Sequence, residues 1–233
     1  MFAGNYPAGR AVDAVSFSYT GPGGAPDLSE QDVIRTAFIF RPAAVELAGE
    51  STILTGDVAF DNAREPLAQA FTVRGGDYTF LAVANHFKSK GGDCGDLPQG
   101  CFDADRVAQA QSLAAFAEST AAAAGVEDVF LLGDFNAYGA ENPLAVLKNA
   151  GFVNLNTAET TYVFGGKVGS LDHVFANASA AQQVTGVDVW RINASESVLA
   201  EYSRYNYFAS EHFQAGTPFR ASDHDPIIVG IEA

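Results

Sequence analysis

Asp128-Val129-Phe130-Leu131-Leu132-Gly133-Asp134-Phe135-Asn136 is the stretch that decides how this chain is read. Residues 128–132 form a short apolar run bounded by a glycine, the pattern of a strand buried on both faces. Gly133 ends the run, and a carboxylate and an amide then alternate across Phe135. If that segment stays extended, Asp134 and Asn136 face one way and Phe135 turns into the core. A carboxylate at a strand end can accept a proton from water, and an amide can donate to a phosphate oxygen. A plain polar turn is the competing reading.

The same grammar recurs on either side. The run over 78–86, Tyr-Thr-Phe-Leu-Ala-Val-Ala-Asn-His, predicts a central strand that ends in Asn85-His86. Ser222-Asp223-His224-Asp225-Pro226 precedes a final apolar run over 226–231. Asp223 has the hard oxygen donors that suit Mg²⁺. An imidazole in a site is fixed by a second group, and Asp172 in Leu171-Asp172-His173 is the candidate partner of His224. His173 falls on the opposite face from Asp172 and reads as structural, and His212 as a polar-loop residue. Arg64, before Glu65-Pro66, is a candidate phosphate clamp through its planar donors, with a buried ion pair as the alternative.

Between these motifs, strands are expected over 33–40, 69–73, 171–175 and 184–192. A long helix is expected over 104–124 and stopped by Gly125, with Val107, Leu113 and Phe116 on one face. A shorter helix over 142–149 is expected to be capped and opened by Asn142-Pro143. Residues 1–31 are rich in Gly, Pro, Ser and Ala and read as loop, which leaves 32–233 as one layered α/β domain. With 48% apolar and 18% charged residues, the chain has the composition of a globular protein. No stretch approaches the roughly 20 apolar residues of a membrane span.

The net charge of −15 argues against a polynucleotide partner, since an acidic surface repels phosphate. A local basic patch from Arg64, Arg74, Lys88, Lys90 and Arg106 would offset it. Cys94 and Cys101 lie in a loop rich in Gly and Asp. A local disulfide between them, which points to an oxidising compartment, is preferred to two reduced cysteines or a two-ligand zinc site.

Taken in order, His86, Gly133-Asp134-Phe135-Asn136, Leu171-Asp172-His173 and Ser222-Asp223-His224 resemble the endonuclease/exonuclease/phosphatase superfamily. Asn85-His86-Phe87-Lys88-Ser89-Lys90-Gly91 and Ile192-Asn193-Ala194 look closer still to its bacterial secreted nucleases. The resemblance implies a two-sheet sandwich with outer helices (four layers, αββα) and a metal-dependent phosphodiesterase. The expected activity is hydrolysis of DNA, or of RNA, by in-line attack of water. Mg²⁺ or Mn²⁺ is the implied cofactor, with Ca²⁺ admitted as a structural ion. In this frame Asp134 activates water, Asn136 holds it or the phosphate, and Asp223 binds the metal. His86 and His224, the latter paired with Asp172, contact the scissile phosphate. Arg64 becomes a phosphate contact, Asp32 a partner of the first histidine, and a Cys94–Cys101 pair agrees with a secreted or periplasmic protein.

The family's opening Asn strand and Gln-Glu strand have no match here. The domain is therefore expected to lack its first two strands and their helix, which would expose a sheet edge able to pair in a homodimer. A phosphomonoesterase or lipid-type phosphodiesterase on the same scaffold is the alternative activity. A domain without turnover is the third reading.

Overall fold

The computed structural model describes residues 13–15, 36–198 and 219–232. Its spine is a sheet whose inner members are β5 (Arg64–Val73), β6 (Thr79–His86), β7 (Asp128–Asp134) and β11 (Asp172–Ala176). On the β5 side lie β3 (Val45–Leu47) and β4 (Thr52–Ile53), and β8 (Val153–Asn154) closes the other edge. β6 and β7 run parallel, and every other pair in the sheet is antiparallel. The parallel step needs a crossover, which α1 (Asp103–Ala124) supplies.

Period-two alternation gives the sheet two apolar faces. Leu81, Val83, Val129, Leu131 and Phe175 pack against Leu113, Ala117 and Ala121 of α1 and Leu144 and Leu147 of α2 (Asn142–Asn149). From the other face, Phe130 and Ala176 join Ala180 of α3 (Ala178–Gln182), with Val184 and Ile231 packed on them. Those last two residues belong to β12 (Val184–Val189) and β13 (Ile227–Ile231), an antiparallel pair forming the second layer among the described residues. The fold is thus a sheet-dominated α/β arrangement with helices outside.

Several boundaries differ from the sequence expectation. β5 starts five residues earlier than 69, because Arg64-Glu65-Pro66 pairs beside a bulge in the β5–β6 ladder. β1 (Asp13–Val15) is a strand inside the stretch expected to be loop, and it pairs with β2 (Phe38–Phe40). The N-cap of α2 is Glu141 and not Asn142, and no side chain caps it. Val107 is half-buried, while Arg106 and Gln109 share the buried face of α1 with Leu113 and Phe116. Gly125, in a left-handed conformation, ends that helix.

A hairpin absent from the sequence reading lies between β8 and β11. Its strands are β9 (Tyr162–Phe164) and β10 (Lys167–Gly169), joined by Gly165-Gly166 with both φ positive, as a type I′ turn requires. No helix among the described residues is long and apolar enough to cross a membrane.

Candidate active site

Strand register alone assembles most of the site. Arg64 on β5 stands opposite His86 on β6. His86 is level with Asp134 on β7, and Asp134 is directly opposite Asp172 on β11. Four polar side chains therefore form a transverse row across four adjacent strands, at a strand spacing of about 4.8 Å. Asp134 and Asp172 share the face of Leu132 and Val174, the one covered by β12 and β13.

Close approach at the centre of the row depends on Gly133. Its φ is +139°, and a Cβ there would lie 2.0 Å from the Asn85 carbonyl oxygen. Beyond it the chain turns sharply. Asn136 is not extended, as expected from alternation, but has φ +46°. Its backbone N–H donates to Asp134 Oδ1 at 2.7 Å and its Nδ2 to Oδ2 at 3.2 Å. The same Nδ2 donates to the Phe87 carbonyl at 3.0 Å, so Asn136 locks the Asp134 carboxylate to the end of β6. Phe135 is fully buried, as the alternation predicts.

His86 Nε2 lies 3.5 Å from Asp134 Oδ2. On the far side of the row, His224 Nδ1 donates to Asp172 Oδ2 at 2.7 Å. Thr161 Oγ1 donates to that same oxygen at 2.9 Å. His224 Nε2 is left facing Asp223, 3.9 Å from its Oδ1. The segment carrying Asp223 and His224 is stitched to β9: Val163 N–H donates to the Asp223 carbonyl and Asp225 N–H to that of Thr161. Buried Asp225 ties the other side, its Oδ1 accepting from the N–H groups of Asn193 and Ala194.

Charge is concentrated here. Burial, and then the Asp172 carboxylate opposite, push Asp134 up to about 6. Burial alone would lower His224, but its hydrogen bond to Asp172 and the carboxylates of Asp172, Asp134 and Asp223 raise it to about 9. Burial and the nearby Asp223, with smaller effects from Tyr138 and Asp134, raise the Tyr162 phenol to about 12. At neutral pH the imidazole of His224 is therefore a cation held beside an anion of moderate basicity.

His173 stays apart from this group. Its Nε2 donates to the Ala137 carbonyl at 2.9 Å and its Nδ1 accepts from Asn154 Nδ2, the behaviour of a neutral structural histidine lowered by burial. Asp32 and His212 lie outside the described residues.

The expected basic patch does not form as an open surface. Arg106 is fully buried and donates to the carbonyls of Lys88, Gln99 and Cys101. Lys90 pairs with Glu141, and Arg74 with Glu46. Lys88 sits 4.8 Å over the Phe102 ring. Charge count along a sequence does not distinguish a structural cation such as Arg106 from an exposed one such as Arg74. Cys94 and Cys101 form a disulfide.

Two neighbours of the row were passed over in the sequence, Thr161 and Tyr162. Tyr162 places its ring 4.7 Å from that of His224. The available signal was the Gly165-Gly166 pair between Tyr162-Val163-Phe164 and Lys167-Val168, a hairpin signature.

The Endonuclease/Exonuclease/phosphatase family model matches residues 14–224. The chain belongs to this family. Solved structures agree on the fold. An endonuclease/exonuclease/phosphatase family protein from Bacteroides thetaiotaomicron superposes with a TM-score of 0.56 at 16% identity, covering 83% of this chain and 66% of its own. A mannosyl-6-phosphatase from the same organism gives 0.56 at 16% identity, over 84% of this chain and 70% of that one. Beta toxin from Staphylococcus aureus gives 0.54 at 15% identity, over 86% and 70%. This family member thus spans about two thirds of the first of these chains. A search of curated proteins returns no match. The family is one of hydrolytic enzymes that generally depend on divalent metals.

Among the described residues no three His, Cys, Asp or Glu side chains are grouped to hold a metal. Mg²⁺ is commonly bound by one or two carboxylates, several waters and a substrate phosphate. A carboxylate-rich centre, with Asp134 directly opposite Asp172 and Asp223 beside the His224 ring, fits that mode.

Proposed function

We propose that this chain is a metal-dependent phosphodiesterase that hydrolyses DNA, with RNA as a second substrate, in a secreted or periplasmic setting. The single observation behind this reading is the transverse row. It sets a basic carboxylate, Asp134, level with His86 on one side and opposite Asp172, which holds His224, on the other.

In this reading water attacks phosphorus in line. Asp134 takes the water's proton as the new O–P bond forms, and its upward shift suits it to that task. Asn136 fixes the carboxylate in place through two donors. The His224 imidazolium, oriented by Asp172, donates from Nε2 to a phosphate oxygen as negative charge grows there. His86 supports the same phosphate from the other side, and Arg64 stands beyond it as a further phosphate contact. A divalent ion held by Asp223 would neutralise charge on the phosphate and the leaving oxygen. Breaking the P–O bond in line with the attack releases an alkoxide, which takes a proton from solvent and leaves as the alcohol end of one product.

A second reading, phosphomonoester hydrolysis, draws support from the charge of −15, which favours a small substrate over a long polyanion. Metal-stripped protein given Mn²⁺ or Mg²⁺ separates the two. Relaxation of supercoiled plasmid supports the phosphodiesterase. Release of free phosphate from sugar phosphates, with plasmid intact, supports the phosphomonoesterase and overturns the first reading.

A further inference from the structure

The hairpin β9–β10 carries aromatic rings that the hydrolytic step does not use. Tyr162 and Phe164 lie at i and i+2 on one face of β9, with ring centroids 6.1 Å apart and planes 15° from parallel. Tyr162 touches the His224 ring at one end of this pair. Phe164 leaves 46% of its surface exposed at the other, well beyond what core packing explains.

A third ring extends the same face. Gly169 is the cross-strand partner of Tyr162. A Cβ on Gly169 would lie 2.5 Å from the Tyr138 ring, so Tyr138 occupies the space where a residue-169 side chain would stand. Phe164, Tyr162 and Tyr138 therefore share one face, an aromatic strip along the edge of the catalytic row. Lys167 stands directly across from Phe164 and has no ion-pair partner among the described residues.

We infer that this strip is a stacking platform for the bases of a single-stranded nucleic acid, placing the nucleotide next to the scissile phosphate against Phe164 and Tyr162. Flat rings interleaved with cations are how proteins track single strands without reading their sequence, because every base offers a π-face. Lys167 supplies the cation beside the outermost ring, where the next phosphate passes. A lipid surface is the weaker occupant: the turn itself is Gly165-Gly166, and the exposed apolar side chains beside it, Phe164 and Val168, lie on opposite faces of the hairpin, so no single apolar face is offered for insertion. The inference rests on the phosphodiesterase reading and narrows its substrate to strands with unpaired bases.

Binding, not turnover, tests it. Metal-free Asp134→Asn protein is titrated into labelled oligothymidylate, and into a strand of equal length built from abasic tetrahydrofuran units, at low salt. The expected Kd ratio is about tenfold in favour of the intact strand, equivalent to ~1.4 kcal/mol. Adding Phe164→Ala should cut the ratio below about threefold at unchanged melting temperature, and Phe164→Tyr should restore it. Equal Kd values for the two strands overturn the inference. So does a ratio indifferent to Phe164→Ala, or Phe164-dependent binding to phosphatidylcholine vesicles without base discrimination. Wild-type cleavage is scored separately. Absence of cleavage counts against the phosphodiesterase, and absence of base discrimination counts against the platform.

Discussion

At the residue scale, His224 and Asp134 both hold their protons to higher pH than they would in solution. Both have folded values above their unfolded ones, about 9 against an ordinary 6.5 for His224 and about 6 against 3.8 for Asp134. A raised folded value contributes stability that is complete below the unfolded value and lost as pH climbs through the folded one. For Asp134 that loss falls between about pH 4 and 6, and for His224 between about 6.5 and 9, so the two windows separate. Urea unfolding of metal-free protein should therefore show wild type losing on the order of 2 kcal/mol more than His224→Gln between pH 6.5 and 9.5. Parallel stability curves would show that Asp172 does not hold a charged imidazole. In turnover the same pair predicts an acid limb near pH 6, displaced downward when a divalent ion binds, and an alkaline limb near pH 9.

Elements explain which parts of this structure were legible in the sequence. β6 and β7 are buried on both faces, so their apolar runs stood out, and the polar groups that end them marked the site. The Asp172–His224 pairing was legible because an active-site imidazole needs an orienting partner. The β9–β10 hairpin was not, since Tyr162-Val163-Phe164 and Lys167-Val168-Gly169 are each too short to stand out as an apolar run. Nor was Arg106, whose burial follows from tertiary carbonyls of a loop that local pattern cannot foresee. The backbone of Asn136 escaped for a similar reason, because its positive φ answers to the Asp134 carboxylate.

That loop joins β6 to α1 and is closed by the Cys94–Cys101 disulfide. Lys90 and Gln99 also fasten it to the 138–142 segment that follows the catalytic strand, through Glu141 and Asn142. Replacing both cysteines by serine removes a cross-link over a sequence separation of 7, worth about 2–3 kcal/mol in the chain-entropy account. Calorimetry should show the melting temperature falling by roughly 5–10 °C. A shift below about 2 °C would mean that Arg106 and Lys90 already hold the loop unaided.

For the whole molecule, the tension is between a net charge of −15 and the polyanionic substrate proposed above. Of the positive charge that the sequence offered as a patch, Arg106 is spent on buried carbonyls and Lys90 on Glu141, while Arg74 is neutralised by Glu46 at the surface. In the proposed reading, substrate attraction then rests on the site itself, on the His224 imidazolium, the Arg64 end of the row and a divalent ion. Removing the metal should weaken binding as well as chemistry, and raised salt should cost less affinity than for a protein with an open basic face. The claim that the row across β5, β6, β7 and β11 is a phosphodiester-cleaving centre is tested most directly by one assay. Cleavage of a labelled oligonucleotide in Mn²⁺ is compared for wild type and Asp134→Asn, with a chelator control. The account predicts metal-dependent cleavage that falls by at least about 10²-fold in the variant, from loss of the proton acceptor. Equal rates for the two proteins, or cleavage that survives the chelator, would contradict it.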